Sequence, residues 1–366
     1  MLKVITTVGT SIFSNYNEKH PHDKLKIELL DRKYSEDEAV INRKKKEKIQ
    51  KWIEREPDKA SISAEIKSLT KLQQERKEEL EVYLITTDTN SSYLAAEIVK
   101  EYFDSENDFN LKSIRRIKSL QVKDRTLFTK EGFPNLIYSI NSIAEGYFDN
   151  MIMNITGGYK GIIPFLTIFA SINNIELVYI YEESSELISI PHLPIIIDYE
   201  FIDKHSEYLT KLDTGIDDYR AFKNNDYEAY SLLEKRGFIE HIDNLALLSP
   251  IGKIFFDRFK KNHFLFFCPD DVWNEIQNQK DILRILKTKF SEKSLRRSKS
   301  EHKKDHFVFD DGANNNRIYY FEENGDLYIY KTFENEEKAK AYIEQSVDRN
   351  NIRKESKKRT ITLEEK

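Results

Sequence analysis

The sequence predicts an α/β protein built on a parallel sheet, and three stretches carry that prediction. Residues 2–8 (LKVITTV), 82–87 (VYLITT) and 151–153 (MIM) are short apolar runs, each followed by a loop of small and polar residues and then by a helical pattern. Strands covered on both faces read as continuous apolar runs, and the helices between them supply the crossovers that parallel pairing needs.

The first run ends in Gly9-Thr10-Ser11. Residues 35–81 then form a charged insertion, nearly free of Gly and Pro, with apolar spacing at Ile49, Trp52, Ile53 and again at Ile62, Ile66, Leu69. That spacing predicts two exposed amphipathic helices. The second run leads into Asp88-Thr89-Asn90-Ser91-Ser92 and the helical YLAAEIVKEYF, and the third into NITGGYKG and the helical IIPFLTIFASI. The run IELVYIYEE (175–183) adds a further strand.

A length of 366 residues accommodates two or three domains. Charged residues make up 33% and apolar residues 39%, with 22 Phe and 20 Tyr, the balance of a soluble globular chain with an aromatic interior. No apolar run reaches the roughly 18 to 20 residues of a membrane span. The opening Met1-Leu2-Lys3-Val4-Ile5 turns polar too soon for a secretory signal, and Cys268 is the only cysteine. These features predict a cytoplasmic protein with no membrane partner. The net charge of -5 conceals a basic run, residues 284–304, that suits either a polyanion partner or a solvated helix face.

The eight residues 154–161 hold three of only 11 glycines. In open parallel sheets ligands bind beyond the carboxyl ends of the strands, where small residues expose backbone amides to anions. Gly157, Gly158 and Gly161 match neither the dinucleotide fingerprint nor a Walker loop, which argues against NAD and nucleoside triphosphates. The simpler alternative is that these glycines only make a tight turn.

VITTVGTSIF at the start, combined with MNITGGYKGIIPFLTIFA some 145 residues later, resembles the CARF domain of type III CRISPR accessory proteins over residues 1–200. The resemblance implies a Rossmann-like homodimer that binds a cyclic oligoadenylate as allosteric activator, with no other cofactor and no metal. Tetra-adenylate is favoured over hexa-adenylate. The ligand-binding residues it implies are Gly9, Thr10 and Ser11 and Asn154, Thr156, Gly157, Gly158 and Lys160; Asp88 and Ser91, at the carboxyl end of the second strand, join them as candidates from the strand-end reading. The insertion lies outside the resemblance.

Residues 204–265 resemble a winged helix, LLEKRGFI followed by LLSPIGKIFF, and are expected to couple domains rather than read nucleic acid. Further on, NRIYYFEENGDLYIYKTF (316–333) alternates aromatic and β-branched residues around Glu323-Asn324-Gly325-Asp326, a hairpin signal, and HFVFDD (306–311) predicts a third strand. Helices, a small antiparallel sheet and a last helix resemble the RelE/HigB toxin family over residues 270–346, leaving 347–366 as a charged tail.

That second resemblance implies a metal-independent endoribonuclease that cuts mRNA on the ribosome and stops translation in antiviral defence. A 2'-hydroxyl attacks the adjacent phosphate, so the site needs cations and a proton carrier. Arg317 is the candidate phosphate clamp, Lys303 and Lys304 add phosphate contacts, His306 moves protons and Lys331 sits beside Arg317 across the sheet. Tyr342 is a candidate for the family's final tyrosine. Two rivals stand beside this reading. A HEPN ribonuclease would use Arg258 and His263, one of three Arg-to-His spacings with Arg236 to His241 and Arg297 to His302. A ligand-controlled transcription regulator would use the winged helix and no catalytic residues.

Overall fold

The computed structural model describes residues 1–27, 32–37, 42–106, 110–121, 124–181, 184, 186–312, 315–323 and 325–363. Parts of the insertion (38–41), the end of the 175–183 run, the hairpin residue Asn324 and residues 364–366 lie outside that description. The chain divides into two compact units, residues 1–198 with 205–254 and residues 199–204 with 255–366.

The first unit holds β1 (Leu2–Thr7), β2 (Leu80–Thr86), β3 (Asn110–Arg116), β4 (Met151–Asn154), β5 (Glu176–Ile180) and β6 (Leu187–Ile190). They lie in the order β3-β2-β1-β4-β5-β6. The first five strands are parallel and β6 pairs antiparallel with β5. Side chains alternate between two buried layers. Val4, Val82, Leu84 and Ile152 pack on one face, while Ile5, Ile85, Met153 and Leu177 pack on the other with Leu136, Ile140 and Leu166. Both faces are therefore covered, as continuous apolar strands require.

Helices Arg43–Arg55 and Ala64–Arg76 account for most of the charged insertion. They are not exposed helices. Ile49, Trp52, Ile53, Ile66 and Leu69 are buried in the same cluster as Val4 and Val82, so the insertion is one of the layers covering the sheet. The apolar stripe that marks an amphipathic helix needs a partner surface, and the sheet provides it.

Within residues 204–265, helix Tyr227–Lys235, Gly237 at φ +76°, the hairpin β7 (Ile239–Ile242) and β8 (Leu245–Leu248), and helix Pro250–Asn262 follow one another in the expected order. Residues 205–254 cluster with the first unit, and residues from 255 onward with the second. Glu240 on β7 accepts hydrogen bonds from Arg125 Nε at 2.6 Å and Thr129 Oγ1 at 3.1 Å, and Ile254 joins the core that contains Ile5.

The second unit is a six-stranded sheet formed by β9 (His263–Cys268), β10 (Ser300–Lys303), β11 (His306–Phe309), β12 (Arg317–Glu323), β13 (Asp326–Phe333) and β14 (Lys357–Thr362). The order is β10-β11-β12-β13-β9-β14, antiparallel except between β13 and β9. The aromatic hairpin forms where the alternation predicts it. Ile318, Tyr320 and Ile329 face Val272, Ile276 and Phe290, whereas Tyr319, Phe321 and Tyr330 face Ala339. A helical bundle of the HEPN kind is not what this segment forms.

Two charged stretches are more ordered than their composition suggests. Residues 349–355 form a helix, and β14 pairs with β9 from Lys357↔Cys268 to Thr362↔His263, with Ile361 only 6% exposed. An edge strand tolerates cations such as the consecutive Lys357, Lys358 and Arg359, which is why this strand reads as a tail. In the basic run, Arg296 is buried and donates to the Phe290 carbonyl at 2.8 Å and to Glu322 at 2.9 Å. Among the described residues, no helix is long and apolar enough to cross a membrane.

Candidate functional site

The chain runs outward from β1 to β2 and β3 and then crosses back to β4 on the other side of β1, which makes a topological switch point between β1 and β4. The loops leaving these two strands touch through glycine backbone. A Cβ on Gly9 would lie 2.8 Å from the Gly158 nitrogen, and one on Gly158, at φ +96°, would lie 2.7 Å from Thr7 Cβ. A Cβ on Gly157 would overlap Glu65 Oε1 at 1.9 Å. The glycines thus do more than make a turn, because only they allow two loops and a buried carboxylate to converge.

Glu65 comes from helix Ala64–Arg76 and is 1% exposed. Its carboxylate accepts the Gly9 N–H at 2.7 Å and lies 3.3 Å from Ser11 Oγ, which in turn accepts the Ala64 N–H at 3.1 Å. Burial raises the carboxyl above the usual glutamate range, opposed by the Gly9 amide.

A cavity of about 530 Å³ opens beside these loops. Its walls come from Gly9 and Thr10 after β1, Thr87, Thr89 and Ser91 after β2, and Gly158, Tyr159 and Lys160 after β4. Thr87, Thr89 and Ser91 form a hydroxyl ladder with spacings of 2.9 and 3.2 Å. The ring of Tyr159 is folded against Gly161, where an added Cβ would meet its Cζ at 2.3 Å.

Five of the ten expected ligand residues, Gly9, Thr10, Ser91, Gly158 and Lys160, line this cavity. The others hold the loops. Asp88 is 1% exposed and turned inward to the Ser119 N–H at 2.9 Å and Arg116 at 2.5 Å. Asn154 is fully buried, donating to Ser68 Oγ at 2.7 Å and accepting from Thr156 Oγ1 at 2.7 Å, while Thr156 Oγ1 accepts the Ile180 N–H at 3.0 Å. Ser11 and Gly157 are engaged with Glu65. Sequence reasoning missed Arg32, Lys33, Gln121 and Tyr159, which also line the cavity. Tyr159 sits inside the glycine motif and was within reach; nothing marks Arg32 and Lys33 among 58 Lys and Arg.

In the second unit, Arg317 opens β12 with its side chain 11% exposed, its guanidinium 2.8 Å from Asp310 and 4.0 Å from Glu336. Lys331 lies opposite Tyr319 rather than Arg317, and its ammonium is 2.8 Å from Glu275. The two cations therefore belong to separate ion pairs. Lys304, at φ +54° in the β10–β11 turn, pairs with Glu344, and Lys303 lies 2.8 Å from Glu301. His306 is fully buried, with Nε2 2.9 Å from the Gln345 carbonyl and Nδ1 2.9 Å from the Tyr330 hydroxyl. A carbonyl only accepts, so Nε2 carries the proton and the ring is a satisfied core histidine, not one open to substrate. Tyr342 packs its ring against Tyr319 and His306 at 5.3 and 5.5 Å, and burial raises its hydroxyl pKa.

The fold is a Rossmann-like α/β body with a concave site at its switch point. Residues 60–193 match the family described as CRISPR-associated protein (Cas_APE2256). Among solved structures, Can2 from Sulfobacillus thermosulfidooxidans in complex with cyclic tetra-adenylate aligns with 69% of this chain and 72% of that chain, at 13% identity and a TM-score of 0.22.

Proposed function

We propose that this protein is a CRISPR-associated effector in which cyclic oligoadenylate, tetra-adenylate in preference to hexa-adenylate, binds the first unit and switches on RNA cleavage by the second. The observation that carries the reading is the switch-point cavity, with glycine backbone, a hydroxyl ladder and three cations around one space. Thr87, Ser91, Gly158 and Lys160 of that cavity fall in the segment that matches the CRISPR-associated family. A ring of adenylates offers phosphates to cations and amides, riboses to hydroxyls and bases to the Tyr159 ring. Its symmetry suits a homodimer that brings two such cavities together.

The second unit then acts as an endoribonuclease on mRNA held by the ribosome. The 2'-hydroxyl gives up its proton as its oxygen bonds to phosphorus, the bond from phosphorus to the 5'-oxygen breaks and that oxygen takes up a proton and leaves as a hydroxyl, and a 2',3'-cyclic phosphate remains. Arg317 stabilises the crowded phosphorane, because a guanidinium grips two oxygens in a plane. Arg317, Lys304 and Lys331 each already have a carboxylate partner, in Asp310, Glu344 and Glu275. Substrate phosphate must displace such partners, which gives the effector a resting state. Activation requires the messenger to bind the active arrangement better than the resting one.

The test is cleavage of mRNA by the purified protein with and without ribosomes, crossed with cyclic tetra- and hexa-adenylate, for wild type, Arg317→Ala and His263→Ala. Cutting that needs messenger and ribosome and is lost in Arg317→Ala alone is the expected result. Messenger-dependent cutting of naked RNA that is lost in His263→Ala, or no cutting in any condition, overturns the effector mechanism, and cutting that neither ring changes overturns the sensor.

A further inference from the structure

Among the described residues three cations line the cavity, and two of them come from outside the sheet and its loops. Arg32 and Lys33 sit on the short segment 32–35, whose backbone is fastened to the loop after β2. The Asn90 N–H donates to the Arg32 carbonyl at 3.0 Å, and Asn90 Nδ2 donates to the Lys33 carbonyl at 3.1 Å. The Tyr34 N–H donates to the Asp88 carbonyl at 3.1 Å, and the Ser35 N–H to Asn90 Oδ1 at 3.0 Å. Lys33 also forms an isolated bridge with Thr89, a cavity residue.

The side chain of Tyr34 completes the attachment. Its ring meets Tyr93 edge-on at 4.8 Å and receives the Arg116 guanidinium at 4.2 Å, and Arg116 is itself tied to the buried Asp88 at 2.5 Å. Four hydrogen bonds, an edge-on ring contact and a cation–aromatic contact thus fix the 32–35 segment at the cavity wall. Gathering two adjacent cations beside a third, Lys160, concentrates positive potential in one concave space. A ligand with more than one phosphate matches that potential better than a ligand with one.

We propose that the Arg32–Lys33 dipeptide is a second phosphate-binding element of this cavity, acting with Lys160 to select ligands that carry at least two phosphodiester or phosphate groups. Asn90, Asp88 and Tyr34 are its positioning residues: they fix the backbone, and the two side chains make the contacts. The proposal rests on the reading of the cavity as an oligoadenylate site and adds to it. It gives Asn90 and Asp88 a purpose that the expected ligand contacts did not: their side chains bind this segment and the Ser119 turn rather than the messenger.

The test is calorimetric titration of full-length protein with cyclic tetra-adenylate and, separately, with 5'-AMP, at low and high salt. Wild type is compared with Arg32→Gln, Lys33→Gln, the double variant and Lys160→Gln. A charge-assisted phosphate contact is worth about tenfold or more in affinity, so each single change is expected to weaken the ring about tenfold, and the double variant more. The double variant should also show a flatter salt dependence, while the weaker binding of 5'-AMP changes little. Gln keeps the backbone bonds that hold the segment, and an unchanged melting temperature checks this. Wild-type affinity and salt dependence retained in the double variant overturn the proposal while leaving the cavity assignment standing. A wild-type protein that binds neither cyclic tetra-adenylate nor cyclic hexa-adenylate overturns the cavity assignment and the proposal together.

Discussion

Glu65 Oε1 lies 2.7 Å from the Gly9 amide nitrogen, so a carboxylate buried at 1% exposure is built into the glycine loop after β1. Its pKa is raised, chiefly by desolvation. The folded state therefore holds this proton more tightly than the unfolded chain does. The group favours folding at and below the ordinary glutamate range, and that contribution is lost as pH rises through the raised value. Glu65→Gln keeps an oxygen for the Gly9 N–H and removes the charge. Melting curves from about pH 5 to about pH 8 are expected to show a shallower loss of stability in the variant than in wild type. Parallel pH dependences would show that the carboxyl stays ionised throughout.

Gly158 and Gly146 share a positive φ, +96° and +88°, but only Gly158 is crowded, since a Cβ added there would sit 2.7 Å from Thr7 Cβ. Gly146→Ala is expected to cost about 1 kcal/mol for backbone strain alone. Gly158→Ala adds overpacking between the two loops and is expected to cost about 2–4 kcal/mol. It should also weaken messenger binding, whereas Gly146→Ala should not. Denaturant titration and calorimetry separate the two effects.

His306→Phe preserves the ring but strands the Gln345 carbonyl and the Tyr330 hydroxyl, both now 2.9 Å from a ring nitrogen. Two unsatisfied buried polar groups are expected to cost about 2–5 kcal/mol in denaturant titration. RNA cleavage per folded molecule should be nearly unchanged. A large fall in cleavage at full stability would instead make this histidine catalytic.

Removing residues 357–366 deletes β14 and exposes the β9 edge, which now pairs with it over six residues. It also removes Arg359 and Lys357 from Asp270, Thr360 from Asp203, and the buried Ile361. The truncated protein is expected to be sensitive to protease across 255–356 and to aggregate, because an unpaired strand edge templates association. Limited proteolysis followed by mass spectrometry reads this directly. A trimmed chain as resistant as the full one would make β14 dispensable.

Much of this molecule was legible in its residues. The parallel sheet followed from apolar runs alternating with helical patterns, and the hairpin β12–β13 from aromatic alternation across 316–333. The site was half legible: the motifs gave both loops that meet at Gly9 and Gly158, but not which side chains face the cavity. Asn154, Thr156 and Asp88 have the chemistry of ligand contacts and are spent on hydrogen bonds inside the protein. Arg32 and Lys33 have no local signature at all.

Local periodicity is a property of neighbouring residues, so the sequence by itself determined the apolar strands β1, β2, β4 and β5, the aromatic hairpin and the helices between them, whereas the need for glycine at 157 and 158 comes from Glu65 and Thr7. Which polar groups are satisfied inside and which remain for a ligand depends on partners 30 to 150 positions away. Glu65 reaches Gly9, Asn90 holds Arg32 and Lys33, and Thr7 meets Gly158 only after the sheet has assembled. That division was decided by the tertiary structure, because burial, and not residue type, sets whether a hydroxyl, amide or carboxylate is left to face solvent.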